Sequence, residues 1–76
     1  MSNNTTQKLI VNALISKFQA QKDAAMAELA VMTTSAVGVS EHTSHVDDAA
    51  EIIRKLSEAD ECLTAISRTF IQQPEE

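Results

Sequence analysis

The chain has no tryptophan or tyrosine, and among its 76 residues it has one glycine, one proline and one cysteine. So few turn-forming residues argue against a sheet built on tight turns, and the length leaves no room for a second domain. Cys62 has no partner within the chain, which excludes an internal disulfide and favours a reducing compartment. The composition therefore predicts one all-α unit.

Large side chains are also scarce. Phe18 and Phe70 are the only aromatics, and many of the 43% apolar residues are alanine. A chain this short with small apolar side chains rarely stabilises itself by core burial alone. We therefore expect a homo-oligomer.

Long apolar runs are absent, because Lys17, Lys22 and Asp23 interrupt the only apolar stretch. The start, Met1 to Thr6, lacks the basic region and apolar run of an export signal. No membrane span is predicted. We expect a soluble, cytoplasmic protein.

Positive charge is scarce in the second half. The net charge is −5; residues 1–40 carry three lysines against two acids, whereas residues 41–76 carry nine acids against three bases. An acidic surface repels phosphate backbones, so direct DNA binding is not expected. The imbalance favours a protein partner, or pairing between a basic and an acidic helix.

The second half carries a regular apolar stripe with spacings of three and four. Its members are Ala49, Ile52, Leu56, Ala59, Leu63, Ile66 and Phe70. Such a stripe is typical of a coiled-coil seam, which must lie against another helix of the same chain or of a copy. We predict these residues as an oligomer interface.

The first half carries a matching stripe, interrupted at Gln21 and Lys22, with alanines beside it that would allow close helix approach. Its members are Val11, Leu14, Ile15, Phe18, Ala25, Leu29 and Met32, and the nearby alanines are Ala20, Ala24 and Ala27. We include Val11, Leu14, Phe18, Ala25 and Leu29 in the predicted interface. Asn4 with Gln7 fits a capping box at the start of this helix.

These patterns predict an antiparallel two-helix hairpin. The helices are expected at about 5–34 and 45–71, joined by a connection at about 35–44 that contains Gly38, with a mobile tail at 72–76. Further apolar residues lie beside the stripes: Ile10, Val31, Val46 and Ile53. Self-association into a helical bundle, with a dimer forming four helices, would cover them.

The connection holds most of the candidate ligand-binding residues. Hydroxyls, histidines and free N–H groups near the start of helix two fit an anion or the edge of a nucleotide. The candidates are Thr33, Thr34, Ser35, Gly38, Ser40, Glu41, His42 and His45. Ordinary capping and loop solvation explain the same residues.

A metal site and enzymatic activity are two further hypotheses. Glu41, His42, His45 and Asp48 fit a divalent metal by ligand type but not by a diagnostic spacing, so no metal or cofactor is assigned. We interpret Cys62 as a buried residue without a catalytic role, because the neighbouring acids disfavour a thiolate. Lys8, Lys17 and Lys22 would form a solvated helix face. Two thin helices enclose no cavity, so an enzyme is not expected.

The loop and second helix resemble a family of short tailed-phage proteins in which a long helix ends in V-G-I-G-E-H before an acidic helix. The matching segments are Val37-Gly38-Val39-Ser40-Glu41-His42, Val46-Asp47-Asp48 and Lys55-Leu56-Ser57-Glu58-Ala59-Asp60. Here Ser40 replaces the second glycine, and Ala36 stands where the family often has proline. The resemblance implies a phage-encoded helical hairpin in the host cytoplasm, with no established activity.

The final stretch is similar to another phage family. Ala65-Ile66-Ser67-Arg68-Thr69-Phe70-Ile71-Gln72-Gln73 matches A-I-x-R-T-x-x-Q-Q in hairpin proteins that sequester the cyclic nucleotide signals of host immunity. This resemblance would place Arg68 and Thr69 in a ligand pocket between subunits. The alternative is an exposed arginine paired with a neighbouring acid.

Two functions therefore compete. The first is a non-catalytic, phage-type oligomeric module that binds a host or phage protein and modulates a host process. The second is a counter-defence protein that sequesters a small nucleotide signal in pockets between subunits. A part in a virion or its assembly is a third possibility.

Overall fold

A computed structural model of the protein describes residues 3–35 and 44–72. Helix α1 spans Asn3–Ser35 and helix α2 spans Ser44–Ile66, and a short π-helical segment, Ser67–Ile71, follows α2 directly. Both described ranges are free of strands. The all-α prediction is confirmed for this part of the chain.

The two helices run antiparallel. Val11, near the start of α1, lines a groove together with Phe70, whereas Met32, near the end of α1, lines a groove together with His45. Between these ends the Lys22 ammonium lies 2.9 Å from an Asp60 carboxylate oxygen. The predicted hairpin is therefore observed, as a thin body of 60 × 24 × 14 Å. The expected helix stop at Gly38 lies outside the described residues.

Helix α1 is unbroken because it contains neither glycine nor proline. Its C-terminal threonines satisfy their hydroxyl groups within the helix: the Thr33 hydroxyl donates to the Leu29 carbonyl at 2.8 Å, and the Thr34 hydroxyl donates to the Ala30 carbonyl at 2.8 Å. The predicted cap at Asn4 is wrong. A capping residue needs a non-helical backbone, and Asn4 lies inside α1.

The core lies along the line where α1 meets α2. The buried residues are Val11, Ala25, Ile52, Ala59 and Ile66, and all belong to the two predicted stripes. The most deeply buried are the two alanines, Ala25 at 2% and Ala59 at 0% exposure. Small side chains at a crossing let two helix axes approach closely. The other stripe residues, Phe70 excepted, are half-buried: Leu14, Ile15, Phe18, Leu29, Met32, Ala49, Leu56 and Leu63.

Phe70 lies in the π-helical segment, at the end of the hairpin where α1 begins. The α-helical pattern ends at Ile66, and the Gln72 N–H then donates to the Ser67 carbonyl at 2.6 Å, a bond that spans five residues. Phe70 lines two depressions together with Val11, so it still lies against α1. It is 40% exposed.

The burial of Ala59 gives a prediction about stability. Replacing Ala59 with leucine should lower the free energy of unfolding by about 1–3 kcal/mol, because the added atoms must push the helices apart. The matched control is Ala65→Leu, since Ala65 is exposed on the same helix. Urea unfolding followed by circular dichroism at one fixed protein concentration makes the comparison. Equal stability of the two variants would contradict close contact at Ala59.

Candidate functional site

The main candidate site is a groove at the end of the hairpin where α1 finishes and α2 begins, here called the loop-end groove. It has a volume of about 660 Å³ and is lined by Ala24, Ala27, Glu28, Val31, Met32, His45, Asp48 and Ile52. Alanines on α1 make room for it, because their short side chains leave space above the backbone. Its lining is largely apolar, with carboxylates from Glu28 and Asp48 on either side. An apolar, acidic groove favours a protein surface over a phosphate.

The opposite end of the hairpin has two further depressions, which share Gln7, Val11 and Phe70. The larger, here called the free-end groove, has about 550 Å³ and is lined by Asn4, Gln7, Lys8, Val11, Asn12, Ile15, Phe70 and Ile71. The smaller has about 360 Å³ and is lined by Thr6, Gln7, Ile10, Val11 and Phe70. Exposure of Phe70 at the π-helical segment therefore adds an aromatic side chain to both.

Arg68 lies away from these grooves. It is exposed and shares a shallow depression of about 370 Å³ with Asp60, Glu61, Thr64 and Ala65. Two carboxylates beside an arginine oppose a negatively charged ligand. These surroundings fit an exposed arginine among acidic residues better than they fit a nucleotide contact made by Arg68 within one chain.

Among the described residues, the predicted ligand residues do not converge within the hairpin. The hydroxyls of Thr33 and Thr34 donate to carbonyls of their own helix, and His45 lines the loop-end groove. Arg68 and Thr69 lie in the π-helical segment beyond the other end of α2, roughly 35 Å from His45 at 1.5 Å per residue. Gly38, Ser40, Glu41 and His42 lie outside the described residues, as does the side chain of Ser35.

The hypothesis of a divalent metal site concerns the loop end of the hairpin. His45 and Asp48 share the loop-end groove, while Glu41 and His42 belong to residues that are not described. Across 3–35 and 44–72, no three side chains of the His, Cys, Asp or Glu types lie close enough to hold a metal ion. Cys62 is a free thiol and only half-buried, which corrects its reading as a buried residue. It lies beside the seam and not on it.

The interruption of the first stripe is a place of polar contact between the helices. Sequence reasoning offered pairing between a basic and an acidic helix but did not identify these residues. The Gln21 side-chain amide donates to the Lys55 carbonyl at 3.3 Å, and the Lys22 ammonium pairs with Asp60. Lys22 therefore pairs with α2 while remaining partly open to solvent. The sequence signal for this contact was the position of Lys22, which interrupts an apolar stripe opposite an acidic helix.

The geometry defines a class of protein: an antiparallel helical hairpin with a groove at each end. Comparisons with protein-family models, with curated proteins and with solved structures found no match to this chain. Neither described helix is long and apolar enough to cross a membrane.

The Lys22–Asp60 pair gives a second prediction. Side-chain exposures of 33% and 53% leave the pair open to water and salt, so a double-mutant cycle with Lys22→Met and Asp60→Asn should show a coupling of about 0.2–1 kcal/mol. The coupling should decrease as salt is added, since exposed pairs are screened. Chemical unfolding of the four proteins measures it. A larger coupling that salt does not change would contradict this weak, solvated pairing.

Proposed function

We propose that the protein is a non-catalytic, self-associating helical module whose work is to bind another protein. The observation that carries the proposal is the apolar surface that one hairpin leaves in water. Eight large apolar residues are 40–75% exposed: Leu9, Ile10, Met26, Val31, Val46, Ile53, Phe70 and Ile71. Three of them, Ile10, Phe70 and Ile71, lie together on the depressions at the free end. Grouped exposed apolar surface marks sites of association.

The two helices differ in a way that supports this proposal. Helix α2 concentrates its apolar residues on one face, whereas in α1 they are spread around the helix. A helix that is apolar on several sides is normally covered on several sides. Helix α2 already covers one side of α1, so a second hairpin is the natural cover for another, as in a four-helix bundle.

The small size of the core within one chain also supports the proposed self-association. Two of the five buried residues are alanines, so little large apolar surface is removed from water within one chain. Below about 70–80 residues a single core rarely supplies more than ~3–5 kcal/mol. Association would add the missing burial. The predicted interface residues on the two stripes are already used between α1 and α2, so a second copy would use the surfaces that remain.

The partner that we propose is a protein with a basic surface. Helix α2 carries six acids and two bases, and complementary charge steers association and excludes wrong partners. The setting, a phage protein acting on a host process in the host cytoplasm, rests on the resemblance of the segment at 37–42. It is part of the same proposal.

The alternative proposal is sequestration of a small nucleotide. Its predicted residues lie at both ends of the hairpin, so it needs copies that bring Arg68 of one chain near the loop end of another. Antiparallel copies would do so. A panel of cyclic nucleotides should raise the melting temperature strongly under this alternative and leave it unchanged under the binding-module proposal.

The main proposal predicts that the protein in solution is heavier than its 8.2 kDa monomer. Its melting temperature should rise with protein concentration, because association stabilises the folded state by mass action. Analytical ultracentrifugation and native mass spectrometry measure the first quantity, and circular dichroism over a dilution series the second. A stably folded monomer whose melting temperature is independent of concentration would remove the basis of the proposal.

A further inference from the structure

The free-end groove is built from α1 and from the π-helical segment. Its most deeply buried lining residue is Val11, and its other apolar lining residues are Ile15, Phe70 and Ile71. Phe70 and Ile71 belong to the π-helical segment and are 40% and 57% exposed. A π-helix is rare in proteins and frequently lies at a functional site. A rare backbone segment thus lies where the hairpin presents an aromatic side chain to solvent.

The remaining lining residues of the free-end groove can donate hydrogen bonds. Asn4, Gln7 and Asn12 have carboxamide groups, and Lys8 has an ammonium group. All four residues are exposed. Carboxamide and ammonium N–H groups donate to carboxylates and to backbone carbonyls. The groove therefore combines an apolar lining with a row of donors, the composition that is typical of binding sites.

Charge distinguishes this groove from the other end of the hairpin. Its lining contains no carboxylate, whereas the lining of the loop-end groove includes Glu28 and Asp48. Residues 3–22 and 62–72 together contain four bases and no acid. The first turn of α1 also has no acidic residue, so no carboxylate of that turn offsets the positive end of the helix dipole. The free-end groove therefore favours a negatively charged occupant.

The spacing of the donors favours a peptide over a compact anion. Asn4, Lys8 and Asn12 follow one another at intervals of four residues, so they lie along one side of α1. From the first to the last they extend over about 12 Å at 1.5 Å per residue. An extended peptide rises about 3.3 Å per residue, so roughly four of its residues would lie along this row.

We infer that the free-end groove binds an acidic, extended segment of a partner protein. One large apolar side chain of that segment lies against Phe70 and Val11, and its carboxylates lie beside Lys8. This assignment rests on the proposed protein-binding function and adds a second docking surface to it, opposite in charge to acidic α2. Complementary charge then excludes basic partners from the free end. The apolar contact with Phe70 is the expected anchor, because a few aromatic and charged residues carry most of the binding energy of an interface.

Peptide selection tests the preference of the groove. A library of random short peptides is selected on the immobilised full chain. The most enriched peptide is then synthesised, and fluorescence anisotropy gives its dissociation constant. We expect the enriched peptides to carry Asp or Glu beside a large apolar residue, and we expect their affinity to fall as salt is added, because charge contributes to binding.

Substitutions locate the selected peptide on the hairpin. Lys8→Glu should weaken its binding about tenfold by placing a carboxylate beside those of the peptide, and Phe70→Ala should weaken it about tenfold by removing the anchor. Lys17→Glu is the matched charge control, because Lys17 is exposed on α1 outside the groove lining. Ile53→Ala is the apolar control, since Ile53 is 44% exposed on α2. Both controls should bind as the wild type does, and circular dichroism checks that every variant keeps its helices.

Several outcomes would overturn the free-end assignment. They are a selection that enriches no peptide, peptides without an acidic bias, and peptides that bind either groove variant as tightly as the wild type. A Lys8→Glu chain that no longer self-associates in sedimentation equilibrium would also overturn it, because the groove would then hold a second copy. Enrichment of basic peptides alone would overturn the acidic segment and leave the proposed basic partner intact. A wild-type monomer that binds neither kind of peptide would overturn both.

Discussion

The structure depends on the close contact of α1 and α2 at their alanines. Ala25 and Ala59 are the most deeply buried residues, and their size sets how near the helices lie. The larger stripe residues then pack beside this line and remain half-buried. Polar contacts from Gln21 and Lys22 join the helices where the apolar stripe is interrupted.

A body only two helices thick cannot enclose a site, so its chemistry lies on its surfaces. The grooves form at the two ends, where Phe70 lies beside Val11 at one end and the short side chains of Ala24 and Ala27 leave space at the other. Within residues 3–35 and 44–72, helix α1 is covered by α2 on one side only, although its apolar residues are spread around it. The apolar side of α1 that α2 leaves uncovered is the physical reason for proposing self-association.

Much of the fold could be predicted from spacing. The stripes at 11–32 and 49–66 identified the residues that α1 and α2 turn toward each other, because the α-helical period is a property of the backbone. The site was harder to predict. The side chains of Arg68 and His45 can both form hydrogen bonds with a ligand, yet the two residues lie at opposite ends of the hairpin. The role of Lys22 depends on Asp60, which is distant in sequence.

The sequence by itself determined that two helices form and which faces of them are apolar, since composition and period act locally. Only the tertiary structure decided which apolar stripe is used within the chain and that Asp60 lies opposite Lys22. Both features depend on the antiparallel register of the two helices. That register results from contacts between residues that are far apart along the chain, and the local period does not encode it.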